Sequence, residues 1–205
     1  MKKIIVPVIT CCFLSSQVLN AQINEVRMSA GIAVAIPSGQ FRDLVDNPSL
    51  RSAEVSLLYG ITDRFSIGLN GGFQDFYQKF SRAVYKQPDG SDISAVITNS
   101  VQTIPLLATA QYQLNEGGIA RPYVSVGAGG AIVVNTQYAG EYANENNKIG
   151  FSIKPGLGIY IPFRRDGAAG LKAGVHYTHI SYKKEEISNL GFIGISVSIA
   201  FPMRQ

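Results

Sequence analysis

From Val26 onward the chain alternates apolar with small or polar residues in short runs broken by turn residues. Eight runs stand out, at Val26–Ile36, Ser52–Ile61, Arg64–Gln74, Val101–Leu114, Arg121–Thr136, Ile149–Pro162, Gly170–Ser181 and Leu190–Phe201. The last is the clearest. Ile193, Ile195, Val197, Ile199 and Phe201 fall on one parity, and Gly194, Ser196, Ser198 and Ala200 on the other. A strand sends successive side chains to opposite faces, whereas a helical period mixes the two sets. The third run repeats the pattern, with Phe65, Ile67 and Leu69 against Ser66, Gly68 and Asn70. In the fifth, Val124, Val126, Ala128, Ile132 and Val134 oppose Tyr123, Ser125, Gly127, Gly129 and Ala131. In the sixth, Phe151, Ile153, Leu157, Ile159 and Ile161 oppose Ser152, Lys154, Gly156, Gly158 and Tyr160.

One face is aliphatic throughout, and the other is mostly Gly, Ser, Ala and Thr. A soluble sandwich would carry charge on its second face. Small side chains suit the interior of a narrow barrel, with the aliphatic face toward lipid. The connections alternate in length. Pro37–Arg51, Asp75–Ser100, Ala139–Lys148 and Tyr182–Asn189 are long and polar, whereas Thr62-Asp63, Asn115–Gly118 and Arg164–Ala169 are short. The prediction is an all-β, eight-stranded antiparallel up-and-down transmembrane β-barrel with both chain ends on the short-turn, periplasmic side. Lipid offers no partner to backbone amides, so the strands must pair all the way round.

Aromatic residues mark the ends of the runs. Tyr59, Phe65, Tyr112, Tyr123, Phe163 and Phe201 are predicted to form a periplasmic girdle, and Phe73, Tyr77, Tyr138, Tyr177 and Phe192 an outer one. Pro105 and Pro155 fall inside strands, where each removes a ladder donor, so a bulge or an end-of-ladder position is expected at both.

Composition agrees with a membrane barrel. Charged residues make up 16% of the chain, against about 25% in ordinary soluble domains. No stretch after the N-terminus is apolar for long enough to span as a helix. The first residues differ from the rest: Lys2 and Lys3, an apolar Ile4–Leu14 and a more polar Ser15–Ala21 have the layout of a cleaved signal peptide over residues 1–21, leaving 22–205 as the barrel domain. Cys11 and Cys12 both lie in that leader, and neither follows the small residue that lipidation needs. The net charge of +4 includes the two leader lysines, and the remainder is too weak and scattered to suggest nucleic acid.

The run Ser29-Ala30-Gly31-Ile32-Ala33-Val34-Ala35-Ile36-Pro37, the Ile104-Pro105-Leu106 entry to the fourth strand, the Tyr123–Gly129 run and the Phe-ended last strand resemble the small outer-membrane barrels of the porin-like, outer membrane protein A- or W-type group, especially those of Bacteroidetes-like bacteria. The resemblance covers almost all of residues 22–205 and implies an outer-membrane location. It also implies a setting of outer-membrane lipid and lipopolysaccharide and delivery by the barrel insertion machinery; a monomer is expected. A terminal aromatic is typical of the assembly signal; here Phe201 is followed by Pro202-Met203-Arg204-Gln205.

Parity places Arg27, Glu54, Lys154, Lys172 and His176 in the lumen. Ions in so narrow a space need partners, so a polar network plugging the barrel, with Glu54 pairing one of the cations, competes with a selective anion path. His179 and Ser181 share the lipid face and resemble the His-x-Ser motif of lipid A deacylase barrels, with Glu185 or Glu186 as a candidate orienting acid; Tyr182 stands where that family usually has Asn. The plain alternative is an interfacial His and Ser. Asp43, Asp46, Asp89 and Asp92 are loop acids of a kind that can hold Ca²⁺ or simply be solvated. No cofactor motif is present. Three functions follow: a structural or loop-mediated binding barrel without an open pore, a narrow channel for small solutes, and a lipid A deacylase-like hydrolase.

Overall fold

The computed structural model describes residues 25–86, 92–115, 118–139, 142–164, 169–184 and 187–203. The strands are β1 (Val26–Ser38), β2 (Arg51–Gly60), β3 (Phe65–Lys79), β4 (Ala83–Lys86), β5 (Asp92–Ala95), β6 (Ile97–Gln113), β7 (Arg121–Ala139), β8 (Tyr142–Pro162), β9 (Gly170–Lys184) and β10 (Ile187–Met203). Eight of them close into one barrel in the order β1-β10-β9-β8-β7-β6-β3-β2, every neighbour antiparallel. β4 and β5 form a separate hairpin in the link from β3 to β6. Among the described residues no helix is long and apolar enough to cross a membrane.

The register keeps the two parities apart around the wall. Ile32 pairs with Val197, Val197 with Ala173, and Ala173 with Ile159, all facing outward. One residue along, Gly31, Ser198, Lys172 and Tyr160 line up inward. The outer surface is therefore a continuous aliphatic belt: Ile32 is 67% exposed and Leu157 64%. A soluble monomer does not show so large an apolar surface, and hydrocarbon is the solvent that suits it.

Three connections lie at the end where Val26 meets Met203. In the first, the Thr62 hydroxyl accepts from the amides of Arg64 (3.3 Å) and Phe65 (3.0 Å), which fixes the turn between β2 and β3. At the far end the strands run longer than their apolar stretches. β3 continues to Lys79, and β7 and β8 run to Ala139 and from Tyr142. The predicted long links Asp75–Ser100 and Ala139–Lys148 are thus largely strand. Backbone pairing continues past the lipid because it needs no apolar face.

Two further expectations are corrected. Neither proline sits in a bulge or at a ladder end. Around Pro105 the β3–β6 register is the same on both sides, Gly71 with Leu106 and Gln74 with Thr103, and pairing lapses only between. Around Pro155 the β8–β9 register likewise runs from Ile153–His179 to Gly156–His176 without a shift. Each ring lacks a donor toward one neighbour only and keeps its place against β7, Pro105 opposite Ala131 and Pro155 opposite Val126. Tyr123 and Phe192 are not girdle residues. They are 8% and 4% exposed and point inward, whereas Tyr59, Tyr112, Phe163, Phe201, Phe73, Tyr77 and Tyr138 are exposed.

The interior also departs from a small and polar lumen. In its far half, Phe76, Val101, Val133, Ile180, Tyr182, Leu190 and Phe192 form an apolar cluster. The link after β1 enters this cluster. At Gly39 the backbone takes φ +59°, a conformation glycine adopts freely, and a short 3-10 helix over Gly39–Asp43 follows. Phe41 and Val45 are fully buried, with Phe41 edge-on to Phe76 at 4.8 Å between ring centroids.

The near-end wall is tightly wound. A Cβ on inward Gly68 would lie 1.8 Å from the Leu57 carbonyl oxygen, whereas one on outward Gly71 would meet nothing within 4 Å. Gly68→Ala is therefore expected to cost about 1–3 kcal/mol through overpacking against backbone, and Gly71→Ala to be nearly neutral. Urea-unfolding midpoints of the two variants in detergent check this pair.

Candidate functional site

The lumen gathers these ionisable side chains from four different strands. Arg27 (β1), Glu54 (β2), Lys154 (β8), Lys172 (β9) and His176 (β9) all line cavities inside the barrel. At the centre, Lys154 Nζ lies 2.9 Å from Glu54 Oε1. Asn70 of β3 joins them: its Nδ2 donates to the same carboxylate oxygen at 2.8 Å, and its Oδ1 accepts from Lys154 at 3.3 Å. This closed triangle bridges β2, β3 and β8. An ion pair in low dielectric persists only when further hydrogen bonds complete it, and Asn70 supplies them.

The other two cations are met differently. The Arg27 guanidinium lies 4.9 Å over the Tyr160 ring and 3.7 Å from Glu25. Lys172 Nζ donates to Gln111 Oε1 at 3.0 Å and sits 5.0 Å over the Tyr123 ring. That contact explains why Tyr123 faces inward: its ring presents a negative face to an ammonium in the lumen. Glycines make the room, since a Cβ on Gly158 would lie 2.6 Å from the Tyr123 ring tip. The His176 ring lies against Gly194, where a Cβ would be 2.1 Å from Nε2.

Three small cavities are stacked along the axis, of about 20, 60 and 30 Å³ from the near end outward. Above them the inserted link closes the mouth. It is tied to lumen-facing side chains: Asn99 Nδ2 donates to the Leu44 carbonyl at 3.1 Å, and the Asp46 amide donates to Gln78 Oε1 at 2.5 Å. Gln74 Nε2 donates to Ser49 Oγ at 2.8 Å, and Ser49 exchanges both backbone hydrogen bonds with Ala35. The link Pro37–Arg51, expected as an outer loop, is in part this plug. The available signal was Phe41, Leu44 and Val45 at helical spacing within a polar stretch.

His179 and Ser181 lie on the outward face of β9 near the far end, with Ser181 exposed. Among the described residues no hydrogen bond joins them, and Glu185 and Glu186 lie outside the described residues. Asp46 is paired with Arg42 at 2.8 Å, and Asp89 lies outside the described residues. Among the described residues no group of three acidic, His or Cys side chains could hold a metal ion. The segment 1–21 is likewise outside them.

A closed eight-stranded barrel with an aliphatic outer belt, aromatic strand ends and a charged, largely filled lumen defines a small outer-membrane β-barrel. The chain belongs to the family described as outer membrane protein beta-barrel domain, whose model matches residues 5–201. The protein resides in the outer membrane. A search of curated protein sequences finds no match. Among solved structures it resembles Neisserial surface protein A (16% identity, 86% of this chain and 95% of that one, TM-score 0.54). It also resembles OprG from Pseudomonas aeruginosa (10% identity, 90% and 98%, TM-score 0.54). A third is the attachment invasion locus protein Ail of Yersinia pestis in complex with the heparin analogue sucrose octasulfate (14% identity, 87% and 99%, TM-score 0.50). At these identities the likeness is one of fold.

Proposed function

We propose that this protein is a closed outer-membrane barrel that works through its outer surface and not by passing solutes along its lumen. One observation carries the reading: the axis is obstructed twice, by the Glu54–Lys154–Asn70 triangle and by Phe41 and Val45 packed into the far mouth. Eight strands enclose a space that side chains largely fill, and here only small separate cavities remain between them. The surface left for binding is the far rim. There Arg51 lies 5.8 Å over the outward Tyr77 ring and 3.3 Å from Asp75, with Lys79 exposed beside them, at the level where lipopolysaccharide phosphates meet the aromatic belt. The barrel is proposed to act as a monomer delivered by the insertion machinery.

Planar-bilayer recording of the purified barrel tests this reading. The expected result is no steady current in molar KCl. Reproducible ohmic steps would overturn it and favour a narrow conduit. Lipid A mass spectrometry of cells carrying wild-type protein or Ser181→Ala addresses the hydrolase alternative, and the expected acylation pattern is the same in both.

A further inference from the structure

We propose that the central chamber of the lumen is a binding site for one small monovalent anion of the halide type, held against Lys172. The chamber is about 60 Å³, several times the roughly 15 Å³ that one water needs, and is lined by residues of all eight barrel strands. Its ionisable lining is Glu54, Lys154, Lys172 and His176. The only carboxylate of that set is already used: Glu54 accepts from Lys154 at 2.9 Å and from Asn70 at 2.8 Å.

Lys172 is left with neutral partners, Gln111 Oε1 at 3.0 Å and the face of Tyr123 at 5.0 Å. Among the described residues no carboxylate lies within ion-pair distance of it. The chamber thus holds one excess positive charge, and an uncompensated ammonium in low dielectric is costly. An unused polar group belongs to the same lining. The Thr109 hydroxyl oxygen is buried, has no hydrogen-bond partner and belongs to the same lining, two residues from Gln111 along β6. A hydroxyl can turn its hydrogen toward an anion, as can Ser29 or Ser56, which share one 2.6 Å contact.

The match is to a single charge and a small radius. Water in the chamber would satisfy Thr109 but leave the ammonium unneutralised. A divalent oxyanion would reverse the charge instead of cancelling it. The site does not depend on whether the barrel conducts, since occupancy is an equilibrium property of the chamber.

Crystals of the full chain equilibrated in bromide provide the direct test, with one anomalous peak expected beside Lys172 Nζ. In detergent solution, unfolding should slow as chloride or bromide replaces gluconate at constant ionic strength, by a factor of about three when the halide stands at twice its dissociation constant. Lys172→Gln should abolish that halide dependence, and Arg27→Gln, at the neighbouring cavity, should keep it. Absence of the bromide peak overturns the proposal, as does an equal halide effect in Lys172→Gln. Should Lys172→Gln not fold, the wild-type anomalous map decides alone.

Discussion

Glu54→Gln is expected to lower the stability of the folded barrel by about 2–4 kcal/mol, below the 3–5 kcal/mol seen when a fully buried pair loses one partner. The discount reflects side-chain exposures of 13% for Lys154 and 24% for Glu54. The loss arises because Lys154 stays in the lumen without its counter-charge, beside an Asn70 whose amide has lost a charged acceptor. Adding Lys154→Met should recover most of it, since the double variant removes both charges and leaves a methionine to fill the space. Urea titration in detergent, followed by the gel shift between folded and boiled forms, gives the midpoints; the chain has no tryptophan to report. A neutral single variant, or losses that simply add in the double, would mean that the triangle contributes nothing as a unit.

The second large effect concerns the plug. Phe41→Asp places a carboxylate among Phe76, Phe192 and Leu190, side chains that cannot hydrogen-bond to it. Core Phe truncations cost about 3–5 kcal/mol, and a buried charge costs no less. The barrel ladder does not pass through this link, so the expected outcome is local. The segment from Gly39 to Leu50 leaves the mouth while the barrel stays folded. Trypsin should then cut after Arg42 roughly a hundredfold faster than in wild type, about 2.7 kcal/mol of lost local protection. The gel shift should be retained and bilayers should stay silent, because the Glu54–Lys154–Asn70 triangle still closes the centre. An unchanged cleavage rate would show that Phe41 does not hold the link in place.

Much of the architecture is legible in the sequence because a strand period of two is strict. Ile193 to Phe201 can be read in only one way, and the same parity assigns Arg27, Glu54, Lys154, Lys172 and His176 to the interior. What parity cannot supply is the partner across the barrel. Glu54 and Lys154 meet because the closure order brings β2 and β8 to opposite walls at one height, a property of stagger and not of any local pattern. Phe192 shows a different failure. Its parity with Gly194 and Ser196 points inward, and its place near a strand end, where girdle aromatics stand, does not change the face it is on. Tyr123 likewise shares its parity with Ser125 and Gly127, and the cation it covers lies on β9. The far strand ends outrun the sequence pattern because apolar alternation stops where lipid stops, whereas amide pairing between β7 and β8 does not.

That overshoot has a consequence for what can touch the protein. β8 is 21 residues long. At about 3.3 Å per residue and a tilt near 45°, it rises roughly 50 Å, against a hydrocarbon layer of about 30 Å. The β7–β8 pair therefore rises above the bilayer, and β6 and β3 rise with it, Ile97 pairing with Ala139 and Lys79 with Thr98, so that one side of the barrel stands as a four-stranded wall while Phe41 and its neighbours form a floor below its rim. An antibody or phage fibre meets the wall first, and only a molecule slim enough to descend beside it reaches the floor.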